Sequence, residues 1–140
     1  MAVKIIESVF DPWQEIHTYQ DQHLQQHRKY GATTSFVGTM RDFNQDTTVH
    51  SMILEHYPEM TKKYIEKIES EARQKWPVPG CLVIHRFGEI LPDEPIMMVT
   101  VWTAHRAEGF EACRYIVDEL KARAPFWKKE QLDNGQRWVD

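Results

Sequence analysis

The amino-acid sequence predicts an α+β fold in which helices alternate with pairs of strands. Three segments have the apolar spacing of amphipathic helices, and five shorter segments are rich in β-branched and aromatic residues, as strands are. Along the chain they run strand, helix, strand, strand, helix, strand, strand, helix, followed by short extended pieces. Because single helices are interleaved with strand pairs that can form hairpins, we expect an α+β sandwich rather than a purely parallel sheet.

Turn-forming residues and changes of periodicity give the expected bounds of these elements. The predicted strands are residues 3–10, 32–41, 51–56, 82–87 and 96–103. The predicted helices are residues 12–29, 58–76 and 107–123. Pro125 ends the third helix, because proline has no backbone N–H and disfavours helical geometry at the preceding residue.

Several details of packing follow from the same patterns. Gly38 inside the second strand indicates a bulge or a close backbone approach. Residues 42–48 are polar and are expected to form a mobile loop, after which the third strand pairs with the second. Residues 96–103 are nearly all apolar, which predicts a central strand covered on both faces. Phe110 is expected on the buried face of the third helix.

The composition fits one soluble domain spanning residues 1–140, with 41% hydrophobic and 27% charged residues. A net charge of −4 argues against nucleic acid as a partner. No apolar run approaches the roughly 20 residues of a membrane span. The N-terminus lacks the apolar core of a signal peptide, so we expect a cytoplasmic protein without membrane contact.

The cysteines and histidines do not indicate a metal or another bound cofactor. Cys81 and Cys113 are far apart and fall in apolar patterns, which indicates small core residues in a reducing compartment. None of the seven histidines forms a His-x-x-x-His pair with a carboxylate at ligand spacing. We also find no Ser/His/Asp set, glycine-rich phosphate loop or paired carboxylates.

Residues 121–130 concentrate charge and aromatic rings around Pro125. Lys121 falls on the last turn of the third helix, and Lys128 and Lys129 follow in an extended segment. These lysines could line an anionic pocket, in which Lys121 could serve as acid, base or nucleophile. A solvated helix end with a basic tail explains the same residues, and the sequence leaves both interpretations open.

Two further sites could bind an anion. His105 and Arg106 fall where a strand ends and a helix begins, and a helix start offers free N–H groups to a phosphate or carboxylate. An equal alternative pairs Arg106 with Glu108 or Glu111 while His105 caps the turn. Arg41 ends the second strand and could face the same space, although an exposed edge arginine is the simpler explanation.

Two histidine-containing pairs are expected to be structural. His85 and Arg86 fall inside a strand, so their side chains point to opposite faces. His56 and Tyr57 stand at the junction between the third strand and the second helix, where they could cap the helix.

Five blocks of sequence together resemble the large, catalytic subunit of molybdopterin synthase. They occur in the same order as in that family, and the similarity extends from about residue 32 to residue 139. The blocks are Phe-Val-Gly-Thr-Met-Arg (36–41), Leu-Glu-His-Tyr-Pro-Glu-Met-Thr (54–61), Val-Ile-His-Arg-Phe-Gly (83–88), Ala-His-Arg (104–106) and Leu-Lys-Ala-Arg-Ala-Pro-Phe-Trp-Lys-Lys-Glu (120–130).

The resemblance implies a fold, a reaction and partners. The family fold is an α/β hammerhead with an additional antiparallel β subdomain. Family members convert cyclic pyranopterin monophosphate to molybdopterin by adding two sulfurs as a dithiolene. A small ubiquitin-like subunit brings the sulfur as a C-terminal thiocarboxylate. Two large subunits form a homodimer, and a small subunit binds at each end to give a heterotetramer.

The resemblance also implies a substrate pocket. Arg41, His105 and Arg106 are assigned to the substrate phosphate and pterin edge, and the His-Arg pair can serve the neighbouring subunit's site. Lys121 and Lys128 are assigned as the catalytic pair, one assisting proton transfer and the other stabilising negative charge. The full set is Thr39, Met40, Arg41, His105, Arg106, Lys121, Lys128, Lys129 and Glu130.

The sequence departs from the family pattern at two places. Glu59 stands where the family usually has glycine after His-Tyr-Pro, and the 140 residues lack the basic tail with which relatives often continue. Two non-enzymatic alternatives remain. One is a module that binds a phosphorylated ligand, and the other is a scaffold for a ubiquitin-like protein, against which the presence of Lys121 and Lys128 speaks.

Overall fold

The structure is a computed structural model that describes residues 2–26, 29–44, 47–133 and 135–139. Three α-helices and nine strands alternate in these ranges, as the α+β prediction requires. The strands are β1 (Ala2–Ile6), β2 (Ala32–Thr39), β3 (Phe43–Asn44), β4 (Thr47–His56), β5 (Gly80–Arg86), β6 (Gly88–Ile90), β7 (Pro95–Thr103), β8 (Phe126–Leu132) and β9 (Gly135–Val139). The helices are α1 (Pro12–Tyr19), which continues into a π-helical turn (Gln20–Leu24), α2 (Pro58–Lys75) and α3 (Arg106–Arg123).

The first sheet has the strand order β1-β5-β7-β2, with β1 parallel to β5 and the other neighbours antiparallel. β7 lies in its interior and residues 97–103 are buried, which confirms the prediction of a central strand. α2 and α3 cover one face, with Ile68 and Ile116 in the core. α1 covers the other face, where the ring of Tyr19 stacks on Trp102 at 4.7 Å. No helix in the described ranges is long and apolar enough to cross a membrane.

The second sheet is antiparallel and has the order β3-β4-β8-β9. Met52 of β4 pairs with Ile90 of β6 and with Glu130 of β8, so β6 and β8 flank β4. Met52 and Leu54 project from one face of β4 into a small core with Ile90 and Met40. We call this face the inner face of the second sheet. The sheet corresponds to the antiparallel subdomain that the family resemblance implies.

The structure contradicts several predictions of element bounds and strand pairing. The first helix ends earlier than expected, and residues 27–28 lie outside the described ranges. The loop expected at 42–48 contains β3 and the start of β4, with residues 45–46 outside the described ranges. The third predicted strand pairs with β8 rather than with β2, which pairs with β7. The polar residues at 42–48 are compatible with strands because the outer face of the second sheet meets water. The pairing partner of β4 was missed because strand pairing depends on which faces are buried in the fold, which a local sequence pattern does not show.

Arg86 joins the two sheets from a buried position at the end of β5. It is 3% exposed, and its guanidinium donates to the carbonyls of Glu7 at 3.1 Å and Glu89 at 3.2 Å. It also pairs with the carboxylate of Glu94 at 3.1 Å. These acceptors follow β1, lie in β6 and precede β7, so the structural role predicted for Arg86 is confirmed.

Candidate functional site

The last turn of α3 carries Lys121, and Arg123 holds this turn against α2. The Arg123 guanidinium donates to both carboxylate oxygens of Glu71, at 3.1 and 2.6 Å, and pairs with Glu119 at 3.0 Å. The hydrogen bonds from Arg123 are the main reason that the pKa of Glu71 falls to about 2. Pro125 follows the helix end, as predicted, and Lys121 is left exposed at the helix C-terminus, where a cation is favoured.

β8 presents its two lysines on opposite faces, because consecutive strand residues alternate. Lys128 is half-buried on the inner face, between Leu54 of β4 and Val139 of β9. Lys129 lies on the outer face, where its Nζ is 5.4 Å from the ring centre of Trp138. The structure therefore brings Lys128, and not Lys129, to the inner face.

Glu130 follows Lys128 on the inner face, is 5% exposed and has both carboxylate oxygens hydrogen-bonded. One oxygen accepts from Nε of Arg137 at 2.8 Å, and the other accepts from Nδ2 of Asn44 at 2.9 Å. Arg137 also donates to the backbone carbonyl of Asn44 at 2.9 Å. This closed ring of bonds ties β3, β8 and β9 together. Nothing in the sequence pattern indicated Asn44 or Arg137 as its members.

β2 ends in the predicted bulge, and Met40 follows in a buried position. The pairing of β2 with β7 shifts register between Gly38 and Thr39. The backbone of Met40 is then held by two hydrogen bonds to residues 93–94, each 2.9 Å long. These bonds fix the direction of the chain immediately before Arg41.

Met40 connects the end of β2 to the strand that carries Lys128. Its side chain is 5% exposed and packs in the small core with Leu54, which lies opposite Lys128 in the β4–β8 pairing. The neighbours of Met40, Thr39 and Arg41, are exposed. The structure therefore places Met40 in the small core beside Leu54, the residue opposite Lys128, while Thr39 and Arg41 stay exposed on either side of Met40.

Phe126, the first residue of β8, is half-buried and stacks against two histidine rings. Its ring centre lies 3.8 Å from that of His85, with the planes 14° apart, and 5.5 Å from that of His56, with the planes 25° apart. Burial lowers the pKa of both imidazoles, that of His85 to about 4, so both are neutral at pH 7. We call His56, Phe126 and His85 the aromatic stack. The sequence patterns predicted only structural or capping roles for these histidines, although three blocks of the family resemblance each contain one of the three rings.

His105 and Arg106 lie at the opposite end of α3 from Lys121. A rise of about 1.5 Å per residue puts Arg106 about 22 Å from Lys121 along the helix axis. Within one chain, the structure does not bring the His-Arg pair together with the lysines. Both residues are exposed, and the side chain of His105 makes no capping bond. Glu111, a suggested partner of Arg106, instead accepts a hydrogen bond from Trp76 at 2.9 Å.

Phe110, one turn after Arg106, is 65% exposed, so the prediction that it is buried is wrong. Gly109 faces β2 at this point, and a Cβ there would lie 2.5 Å from Oγ1 of Thr34. Because Gly109 occupies the contact with the sheet, its neighbour points away. Phe36 on β2, the edge strand of the first sheet, is 37% exposed. The buried face of α3 includes Cys113, Ile116, Val117 and Leu120.

The described part of the chain contains no group of three or more His, Cys, Asp or Glu residues that could hold a metal ion. Cys81 and Cys113 are both free and buried. Burial raises the pKa of both thiols, that of Cys113 to about 11, so neither is a reactive thiolate at neutral pH.

The sequence matches that of known proteins over most of its length. The model of a family described as MoaE protein matches residues 12–123. A molybdopterin synthase catalytic subunit from Pseudomonas aeruginosa is 45% identical over 140 residues, which cover 100% of this chain and 91% of that protein. Another, from Escherichia coli, is 47% identical over 110 residues, which cover 79% of this chain and 73% of that protein.

Solved structures are similar as well. The molybdopterin biosynthesis MoaE protein from Burkholderia ambifaria has a TM-score of 0.82 at 42% identity, covering 100% of this chain and 90% of that one. The molybdopterin synthase from Staphylococcus aureus has a TM-score of 0.84 at 24% identity, covering 98% and 96%. At that lower identity the likeness concerns the fold alone.

Proposed function

The chain belongs to the MoaE family, and from this premise we propose that it acts as the catalytic subunit of a molybdopterin synthase. In this role it converts cyclic pyranopterin monophosphate to molybdopterin by adding two sulfurs as a dithiolene. A small ubiquitin-like subunit supplies each sulfur as a C-terminal thiocarboxylate. The observation that carries the proposal is that Met40, the neighbour of Arg41, packs in the same small core as Leu54, which lies opposite Lys128.

The buried cysteines support an external source of sulfur. A protein that carries sulfur on its own cysteine must expose that thiol. Cys81 and Cys113 are both buried, so neither is accessible. The incoming thiocarboxylate of the partner subunit fills this need. Two free thiols also accord with a reducing, cytoplasmic location.

The two proposed catalytic lysines have different surroundings, which suits different roles. Lys128 is half-buried between Leu54 and Val139, so its ammonium is less hydrated and stabilises negative charge that develops during sulfur transfer. Lys121 is exposed to solvent, which can supply or accept the proton, so we assign it the proton transfer. Arg41, next to Met40, binds the substrate phosphate.

A second copy of the chain completes the site. His105 and Arg106 lie at a helix start, which suits an anion, yet they are about 22 Å from Lys121 in the same chain. Phe110 is exposed beside this pair, and Phe36 is exposed on the edge strand that contacts the same helix. We propose that this surface forms a twofold homodimer contact that delivers the His-Arg pair to the neighbouring site, and that a small subunit joins each large subunit in a heterotetramer.

The direct test combines this protein, a thiocarboxylated small subunit and the cyclic pyranopterin, with mass spectrometry of the dithiolene product. Lys121→Ala and Lys128→Ala should each lower turnover by about 100-fold or more, as loss of a charge-stabilising group does. Lys63→Ala, on the exposed surface of α2, should have no effect. Lys129 lies on the outer face of β8, so Lys129→Ala should lower turnover much less than Lys128→Ala does. Binding of both substrates without product would favour a non-enzymatic module.

The shared site has a test of its own. The Lys121→Ala and Arg106→Ala proteins are mixed and allowed to exchange subunits. Half of the dimers then contain one chain of each kind, and each such dimer has one intact site out of two. The mixture should therefore show about a quarter of the wild-type activity. If each chain completed its own site, every site in the mixture would lack one residue. No recovery with demonstrated subunit exchange would therefore reject the shared site.

A further inference from the structure

We infer that the aromatic stack positions Lys128, which makes His56 and His85 positioning residues of the sulfur-transfer site. The inference rests on the proposed function to the extent that Lys128 takes part in that reaction. Phe126, at the centre of the stack, is the connection, because it precedes Lys128 by two residues and projects from the same face of β8.

The stack joins the two sheets at the point where β8 begins. His85 belongs to β5 in the first sheet, whereas His56 and Phe126 belong to β4 and β8 in the second. The Nδ1–H of His85 donates to the carbonyl of Arg86 at 2.8 Å, and His56 Nδ1 lies 3.3 Å from the hydroxyl of Thr61. Both histidine rings thus have contacts of their own in addition to the contact with Phe126.

The backbone at the start of β8 makes this side-chain contact important. The amide of Phe126 donates to the carbonyl of Ala124 at 2.8 Å, within the turn around Pro125, and Phe126 is also the first residue of β8 that pairs with β4. The stacked ring therefore holds the strand at its first residue, just after the chain has left α3. Lys121 is part of α3 and Lys128 is part of β8. Because the stack holds the first residue of β8, it sets the position of Lys128 relative to Lys121.

Electrostatics accord with this arrangement. Burial is the main reason for the lowered pKa of His85, and the nearby charge of Lys128 lowers it further. A neutral imidazole stacks on Phe126 without adding a second cation beside Lys128. The neutral state of His85 therefore suits a site in which the lysine is the local positive charge.

The test compares substitutions that remove a ring with one that keeps it. Phe126→Leu and His85→Leu should lower kcat by about 10- to 100-fold, the loss that a displacement of about 1 Å causes. KM for both substrates should stay within about threefold, because binding groups are retained. His85→Phe keeps a ring in the stack and should restore most of the kcat that His85→Leu loses.

A matched control separates positioning from general loss of packing. Tyr19→Leu removes a ring that stacks on Trp102 at 4.7 Å on the opposite face of the first sheet. It should lower Tm but leave kcat unchanged at temperatures where the protein is folded. Equal losses of kcat in Tyr19→Leu and His85→Leu would overturn the inference, as would a folded His85→Leu protein with wild-type kcat.

A second measurement does not depend on turnover. The full-length protein is treated with acetic anhydride, and tandem mass spectrometry compares acylation of Lys128 with that of Lys121. His85→Leu and Phe126→Leu should raise the relative rate at Lys128 by about threefold or more, since local opening exposes it. An unchanged ratio would overturn the inference. If Lys128→Ala kept its turnover, the proposed function of Lys128 would fail while this labelling still decided the positioning.

Discussion

Replacing Arg86 by leucine tests the link between the two sheets. Leucine fills much of the volume of the arginine stem but provides no donor. The carboxylate of Glu94 and the carbonyls of Glu7, Glu89 and Pro95 would each lose a hydrogen bond. The substitution therefore removes the guanidinium and leaves four acceptors without this donor.

The size of the effect follows from burial. Removing one partner of a buried ion pair costs about 3–5 kcal/mol, because the other is left uncompensated. The side chain of Glu94 is 24% exposed and regains some water, so we expect the lower end, about 3 kcal/mol. For a chain of 140 residues this lowers Tm by roughly 10 °C. Because residues 93–94 also hold Met40, activity should fall with stability.

Urea unfolding at one fixed protein concentration measures the change, since stability of an oligomer depends on concentration. Arg114→Leu is the matched control. Arg114 is 85% exposed and pairs with Asp118 on the surface, so its loss should change stability by no more than about 0.5 kcal/mol. A loss below about 1 kcal/mol for Arg86→Leu would contradict a stabilising role for these buried contacts.

Three further predictions follow from local geometry and charge. Gly109→Ala should destabilise by about 1–3 kcal/mol in thermal unfolding, because its Cβ would lie 2.5 Å from Oγ1 of Thr34 and outweigh the better helix propensity of alanine; a Tm at or above the wild-type value would contradict this. Arg123 lowers the pKa of Glu71 from 4.5 to about 2, so the stability from this pair is present above pH 4.5 and is lost as pH falls towards 2. Glu71→Gln should therefore lower the urea midpoint more at pH 7 than at pH 3, and equal effects would argue against the pair. Burial lowers the pKa of His85 from 6.5 to about 4, so the unfolded chain takes up the proton first and stability should fall by about 3 kcal/mol between these pH values. His85→Phe should lose much of this acid sensitivity, and an identical pH profile for both proteins would count against it.

Local chemistry accounts for several boundaries of the secondary structure. Asp11 and Pro12 start α1, and Pro125 ends the helical path of α3, because each acts within a single turn of backbone. The bulge at Gly38 follows from a similarly local signal. The family resemblance then selected Lys128 from among the exposed and half-buried lysines, which no periodicity could do.

The remaining features depend on contacts between distant parts of the chain. Asn44 lies in β3, which pairs with β4, and its side-chain amide donates to Glu130 of β8. The stacking of Phe126 needs histidines from two different sheets. By contrast, the separation of Arg106 from Lys121 follows from helix length alone, so the sequence already required a second chain if these residues share a site.

The adjacent lysines of β8 have a consequence for strand register. A slip by one residue would turn Lys129 inward in place of Lys128, so the inner face would keep its ammonium and the total charge would not change. The slip would also bring Trp127 between the two histidines and leave Arg137 facing Gln131. Two pairings that both place a lysine on the inner face are therefore told apart by the bulk of one ring and by a single buried carboxylate.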